Sequence, residues 1–141
     1  MTPENNILIV TPRMEELASL CRSNSLIEAG LYREYDVKRG LRDVNGKGVL
    51  AGLTNISDII AQREVDGILQ PCPGELYYRG IRIEEIVQGF VREGRKGYEE
   101  VAYLLLFGRL PDAKELGSFK SLLAQGRMLP TNFTRDVIMK A

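Results

Sequence analysis

Residues 74–86 constrain the fold of this chain more than any other part of the sequence. Leu76, Tyr77 and Tyr78 are good strand formers, and Gly80 can adopt the positive φ that a sharp turn requires. After the turn, apolar residues recur with the spacing of one buried helix face: Ile83, Ile86, Val87, Phe90 and Val91. The stretch therefore predicts a strand, a turn and an amphipathic helix, at the point where the chain changes from a hairpin to helices.

Four segments before this turn bear on the size of the hairpin. Residues 67–69 are a candidate partner for the strand at 76–78, and residues 49–53 are predicted to form a strand of their own. Residues 70–74 are predicted to form a loop, because a central strand does not tolerate two prolines. Residues 59–66 fit both helix and strand patterns, so their structure stays open.

Helix signals are clearer than strand signals in the rest of the chain. Thr11 followed by Pro12 is typical of a helix N-terminus, and Asp112 with Glu115 forms a capping box. After its first turn the segment 98–108 is apolar nearly all round, so we expect a helix that is buried on most sides and ended by a glycine. The predicted helices cover residues 12–25, 26–35, 83–93, 98–107 and 113–126, and a last one starts at Pro130.

Charge and hydropathy argue against several kinds of partner. Nineteen basic and nineteen acidic residues give a net charge of zero, so neither bulk nucleic acid nor an anionic membrane is indicated. The longest apolar run, at 101–107, is far shorter than the ~20 residues that span a bilayer, and no signal peptide is recognisable. We expect a cytoplasmic protein in which Cys21 and Cys72 are reduced thiols.

The chain contains no histidine, which limits the chemistry that it can perform by itself. Imidazole is the most common general acid–base near neutral pH, so nucleophile–histidine pairs and histidine-bound metals are excluded here. Two glutamate pairs, Glu84/Glu85 and Glu99/Glu100, are conceivable catalytic carboxylates. Both pairs lie in the first turn of a predicted helix, where the helix dipole favours acids, so we interpret them as structural.

A basic, glycine-rich segment at residues 37–48 is a candidate for phosphate binding. Arginine forks and free backbone N–H groups bind phosphate well, although composition alone favours a solvated loop. Neither a Walker motif nor a dinucleotide-binding spacing occurs in it. The segment carries the cations Lys38, Arg39, Arg42 and Lys47 among Gly40, Gly46 and Gly48.

Three blocks of sequence, in the same order, resemble the N-terminal part of citrate synthases, especially bacterial ones. The blocks are Gly52-Leu53-Thr54-Asn55-Ile56-Ser57, Leu76-Tyr77-Tyr78-Arg79-Gly80-Ile81-Arg82-Ile83 and Glu99-Glu100-Val101-Ala102-Tyr103-Leu104-Leu105-Leu106-Phe107-Gly108-Arg109-Leu110-Pro111. The resemblance runs from about Arg39 to the C-terminus, and the region 59–73 departs in length from the shortest family members. It implies a mainly α-helical fold of two domains with a small β-hairpin near its start, usually as a homodimer.

The resemblance also implies the reaction, in which acetyl-CoA condenses with oxaloacetate to give citrate and CoA without a metal or prosthetic group. In the family an aspartate and two histidines perform this chemistry, and all three would lie beyond Ala141. We therefore expect this chain to be the N-terminal part of the large domain, truncated before the catalytic region, inactive alone and prone to self-association. It would consist of a helical arm and basic loop (1–47), a β-hairpin region (48–80) and helices (81–141).

One binding residue follows from the resemblance. Family members have an arginine that contacts CoA phosphate just before a glycine-rich turn, and Arg42 is similar to it in position. Arg79 belongs to the family's Arg-Gly signature, and we expect it to be structural, bonding carbonyls around the turn. Two other interpretations stay open: a 2-methylcitrate synthase, which uses propionyl-CoA, and a complete small helical interaction module without enzymatic activity.

Overall fold

The computed structural model describes residues 9–38, 40–43, 46, 48–127, 129 and 132–140, and shows a mainly helical chain with a small sheet. This confirms the expected fold class in its coarse form. In chain order the described elements are α1 (Pro12–Asn24), α2 (Ala29–Glu34), β1 (Ser57–Val65), β2 (Ile68–Tyr78), β3 (Ile81–Arg82), α3 (Ile83–Arg92), α4 (Tyr98–Phe107), α5 (Ala113–Gln125) and a short π-helix (Thr134–Ile138).

Local capping explains where the longer helices begin and end. The Thr11 hydroxyl accepts a hydrogen bond from the Met14 N–H at 3.3 Å, and Asp112 and Glu115 form the predicted reciprocal capping box. Helix α4 ends at Gly108, which has a φ of 78°, and the Gly108 N–H donates to the Leu104 carbonyl at 2.9 Å. These caps satisfy backbone groups that the helices themselves leave unpaired.

The sheet is larger than the sequence predicted. Strands β1 and β2 form a long antiparallel hairpin, and β3 adds a short third strand opposite Tyr77 and Tyr78. The hairpin turn consists of Asp66 and Gly67, with φ values of 51° and 76°. Two positive φ angles in succession are typical of the tight turn whose twist matches that of an antiparallel pair.

Three predictions about strands were wrong. Residues 70–74 lie within β2 rather than in a loop, and the partner of residues 76–78 is β1 rather than residues 67–69. The two prolines are tolerated because β3 pairs only with the end of β2, and because the β1–β2 register shifts between Ile60 and Gln62, beside them. Residues 49–53 form no strand; the Leu50 carbonyl accepts only an isolated hydrogen bond from the Lys38 N–H.

The last predicted helix differs as well. Its expected start at Pro130 and Thr131 lies outside the described residues. The chain then forms a five-residue π-helix, Thr134–Ile138, instead of a regular α-helix, and Val137 and Ile138 are exposed on it. The sequence therefore indicated helical structure here, but not its type or length.

The hydrophobic core lies where α1, α4 and α5 meet. Tyr103, Phe107 and Phe119 are buried there with edge-to-face ring contacts, at centroid distances of 4.5 to 5.8 Å, and Leu17 of α1 packs against them. Such aromatic pairs add stability beyond the area that they bury. Leu17 and Phe119 lie in two of the predicted helices, 12–25 and 113–126, and each is buried on the inner face of its helix.

Helix α4 is covered on one side and open on the other. Tyr103 and Leu104 are 1% and 0% exposed, whereas Tyr98 and Leu106 are 74% and 44% exposed. The other eight residues of α4 are buried or half-buried, which agrees with the prediction of a helix buried on most sides, and in the described part of this chain only α1 and α5 pack extensively against it. An apolar face on α4 is therefore left in contact with water.

Candidate functional site

The turn after β2 holds Arg79 in an unusual backbone conformation. Its φ is 49°, in the left-handed region, and the following Gly80 has a φ of 82°. A residue with a side chain adopts this conformation at a cost in free energy, so the surroundings must hold it in place. The Arg79 N–H donates to the Ile56 carbonyl at 2.9 Å, which ties the turn to the residue just before β1.

The Arg79 guanidinium joins three segments that are distant in sequence. Its Nε and Nη2 donate to the Leu105 carbonyl at 3.1 and 2.8 Å. Its Nη1 donates to the Asn24 carbonyl at 3.1 Å, and to the carbonyl and Oδ1 of Asn55 at 3.2 and 2.9 Å. The Asn55 side-chain amide also donates to the Asn24 carbonyl, at 3.0 Å.

These acceptors explain why the position is occupied by an arginine. Leu105 and Asn24 lie in the last turns of α4 and α1, where carbonyls have no partner within the helix. A cation there also interacts favourably with the negative end of each helix dipole, and the planar guanidinium can bond several acceptors at once. Arg79 bonds carbonyls, as the sequence analysis expected, but they belong to three separate segments rather than to the turn alone.

The basic loop places Arg42 on the surface. Arg42 lies opposite Gly48 in an isolated antiparallel bridge, and its Nη1 donates to the Gly46 carbonyl at 2.8 Å. The Lys38 ammonium lies 2.6 Å from an Asp36 carboxylate oxygen. The two other cations of the predicted phosphate-binding segment, Arg39 and Lys47, lie outside the described residues. The assignment of Arg42 to a CoA site stays a prediction.

Three of the four glutamates in these two pairs form ion pairs with arginines. The Glu84 carboxylate lies 3.6 Å from Arg82, and the Glu99 carboxylate lies 3.5 Å from Arg127. Glu100 forms an ion pair with Arg95. This geometry agrees with a structural role for the first-turn acids.

The described part of the chain offers neither a metal site nor a membrane span. It contains no group of three or more His, Cys, Asp or Glu side chains placed to hold a metal ion. No described helix combines the length and the apolar character needed to cross a membrane. Cys21 and Cys72 are free thiols and half-buried.

Comparison with known proteins decides the family. The family model described as "Citrate synthase, C-terminal domain" matches residues 40–141, which is most of the chain. The chain belongs to the citrate synthase family.

Two curated citrate synthases are similar to the chain over parts of their length. The glyoxysomal enzyme of Cucurbita maxima is 31% identical over 115 residues, which cover 79% of this chain and 20% of the relative. The enzyme of Saccharolobus solfataricus is 40% identical over 57 residues, covering 40% of this chain and 14% of the relative. The chain thus spans about one fifth or less of these relatives. No solved structure matches it.

Glu115 has two roles in this citrate synthase family member, and only one of them could be predicted from the sequence. Glu115 was identified as a capping residue, but its two carboxylate oxygens also bind both terminal nitrogens of Arg109, one of them at 2.8 Å. The Arg109 guanidinium, followed by the Asp112 N–H, lowers the pKa of Glu115 to about 2. Helical spacing could not reveal this pair, because the two residues flank the α4–α5 connection.

The pair predicts a specific pH dependence of stability. Because the folded-state pKa of Glu115 lies below the unfolded value of about 4.3, its contribution is complete above that value and is lost as the pH falls toward 2. The difference in melting temperature between the parent chain and Glu115→Gln should therefore be largest near pH 6 and shrink toward pH 2.5.

Thermal unfolding followed by circular dichroism at several pH values measures this difference. Arg109→Gln is the matched variant, since it removes the partner and leaves the carboxylate, and it should also lose stability relative to the parent mainly above pH 4. A Glu115→Gln difference of the same size at pH 2.5 and pH 6 would show that the ion pair contributes nothing.

The Arg79 junction predicts that arginine cannot be replaced by lysine there. Lysine is a point charge and cannot reach the carbonyls of Leu105, Asn24 and Asn55 together. Losing charge-assisted hydrogen bonds of this kind should lower the melting temperature by roughly 5–10 °C. Arg92→Lys is the control, because Arg92 is exposed and bonds only the Gln88 side chain, at 3.3 Å, within its own helix. Equal melting temperatures for the parent and Arg79→Lys would rule out the structural role.

Proposed function

We propose that this chain is the N-terminal part of the large domain of a citrate synthase, which condenses acetyl-CoA with oxaloacetate to give citrate and CoA. Family membership is the observation that carries the proposal. The order of the three sequence blocks supports the N-terminal placement, although the matching family model is described as a C-terminal domain. A 2-methylcitrate synthase, with propionyl-CoA as substrate, is the close alternative.

In this proposal the chain supplies structure, and the catalytic aspartate and histidines belong to another part of the protein. The sequence has no histidine, and three of the four glutamates first considered for catalysis bind arginines. The reaction would need CoA thioester and oxaloacetate as substrates and no metal or prosthetic group. We further propose a cytoplasmic homodimer that binds neither nucleic acid nor membrane.

The role proposed for Arg42 is to bind a CoA phosphate at one edge of the active site. The side chain is exposed, and its Nη1 donates to the Gly46 carbonyl at 2.8 Å. A guanidinium has five N–H donors, more than one carbonyl can use, so a phosphate oxygen could be bound by the others. Gly40 and Gly46 have φ values of 105° and 79°, which glycine adopts more readily than other residues, so the chain can turn on both sides of Arg42.

Replacing Arg42 should weaken CoA binding selectively. Loss of one charge-assisted contact costs roughly 1.5–3 kcal/mol, so Arg42→Ala should raise the KM for acetyl-CoA about tenfold to a hundredfold. The KM for oxaloacetate should stay nearly the same. Steady-state kinetics of the longest protein that the reading frame encodes provides the measurement, with Arg92→Ala as an exposed control. An unchanged KM for acetyl-CoA would exclude Arg42 from the site.

The chain by itself should form no citrate. Purified residues 1–141 should release no CoA thiol from acetyl-CoA plus oxaloacetate, whereas the complete enzyme should do so. Release of CoA by residues 1–141 would contradict the proposal that the catalytic residues belong to another part of the protein. If the complete protein instead prefers propionyl-CoA, the 2-methylcitrate synthase alternative is correct.

The chain by itself should also self-associate. Leu106 and Tyr98 leave the apolar side of α4 open, and further exposed apolar residues are Val87, Val91, Ile68, Leu69 and Ile138. Apolar patches beyond a few hundred Å² are rare on monomers, so the isolated chain should bind a hydrophobic dye and sediment as oligomers. A dye-negative monomer with a sharp melting transition, from a reading frame that ends at Ala141, would favour the small interaction module.

A further inference from the structure

A groove of about 660 Å³ lies between the α2 region and the segment that leads into β1. Hydrogen bonds join its two walls on either side of the lining residues. The Asn55 side-chain amide donates to the Asn24 carbonyl at 3.0 Å, and the Lys38 N–H donates to the Leu50 carbonyl at 2.8 Å. These bonds keep the walls from separating, and the volume between them lies in the range of small-molecule sites.

Apolar side chains make up most of the lining of this groove, yet water reaches them. Leu26, Tyr35 and Leu50 are 78%, 56% and 47% exposed, and Leu31 and Leu53 are half-buried. No residue of α2 is buried. A molecule with an apolar body would remove this surface from water, which is the main favourable contribution to binding in a groove of this kind.

The charged groups that line the groove are all acidic. Glu28 and Asp58 are among its lining residues, and no lysine or arginine is among those that the structure describes. Within the described part of the chain, neither carboxylate has an ion-pair partner. The groove therefore attracts cations and repels anions, by an interaction that weakens as the salt concentration rises.

Two uncharged groups of the lining also suit a cation. The Thr54 hydroxyl accepts a hydrogen bond from the Ile56 N–H at 3.1 Å and keeps a second lone pair for another donor. The Tyr35 ring is partly exposed in the groove, and an aromatic ring attracts a cation over its face. A ligand that carries positive charge and donates hydrogen bonds is thus matched by more of the lining than a neutral or anionic one.

We propose that this groove binds a small organic cation, an amine with an apolar body. The body packs on the leucines of the two walls, and the ammonium group binds at Glu28 and Asp58. Charge complementarity and the apolar lining together carry the proposal. It goes beyond the proposed reaction, whose CoA thioester and oxaloacetate substrates are anions that these carboxylates would repel.

Equilibrium dialysis of residues 1–141 with three probes that share one apolar body tests the charge preference. Phenylbutylamine is a cation near neutral pH, phenylbutanol is neutral and phenylbutyrate is an anion. The amine should bind about tenfold more tightly than the alcohol, since two exposed carboxylates each contribute modestly, and the anion should bind least. Raising the salt concentration from about 0.01 M to about 1 M should remove most of this difference. Equal affinity for the three probes, or no binding of the amine, would overturn the proposal.

Variants of the carboxylates locate the binding site. Glu28→Gln combined with Asp58→Asn should weaken binding of the amine about tenfold and leave binding of the alcohol unchanged. Glu64→Gln is the matched control, because Glu64 is an exposed carboxylate on the same strand as Asp58 but does not line the groove. If the double variant binds the amine as well as the parent does, or if Glu64→Gln weakens it equally, the proposal is wrong.

Two further measurements test the apolar wall and the occupant. Leu50→Ala, at a half-exposed position, should weaken the amine and the alcohol by the same factor, about threefold to tenfold. Unchanged binding of both probes by this variant would place them elsewhere and refute the site. The longest protein that the reading frame encodes should bind the amine as residues 1–141 do. Loss of binding in that protein would show that another part of the same protein fills the groove, and would also refute the proposal.

Discussion

A single guanidinium binds the ends of two helices to the hairpin, and the arrangement of the described fold depends on that contact. Arg79 reaches the last turns of α1 and α4 and the segment before β1, so it sets how these three parts meet. Without Arg79 the Leu105 carbonyl would lose two donors at this partly buried junction, and the Asn24 carbonyl would keep the Asn55 amide but lose the guanidinium, which is costly. Arg79 has a left-handed conformation and Gly80 completes the turn, after which β3 pairs with β2 and α3 begins at Ile83.

Much of the helical structure could be predicted from the sequence, because its signals are local. Thr11-Pro12, the Asp112–Glu115 box and Gly108 each act on the nearest turn, so α1, α5 and the end of α4 lie where these residues indicate. The strands could not be predicted in this way. Whether Pro71 and Pro73 are tolerated depends on which neighbours β2 has at each position, and that is a property of the assembled sheet.

In the candidate site too, features set by neighbouring residues could be predicted, whereas contacts between segments distant in sequence could not. That Arg79 would bond carbonyls followed from its place before a turn, but which carbonyls it bonds depended on helices separated from it by 26 and 55 positions. The Arg109–Glu115 pair was missed for a related reason, since it crosses a connection where no regular spacing applies. For Arg42 the sequence offered a resemblance and the structure an exposed, oriented side chain; both are compatible with phosphate binding, and kinetics must decide.

The junction at Arg79 also determines which positions of this chain are free to vary. Its acceptors at Leu105 and Asn24 are main-chain oxygens, which every amino acid possesses, so exchanging those side chains leaves the acceptors in place. The requirement on sequence is concentrated in Arg79 and in Asn55, whose side chain accepts from Arg79 and donates to the Asn24 carbonyl. Because most of the acceptors at this junction are main-chain carbonyls, sequences that differ at the other positions can keep the same geometry as long as Arg79 is present.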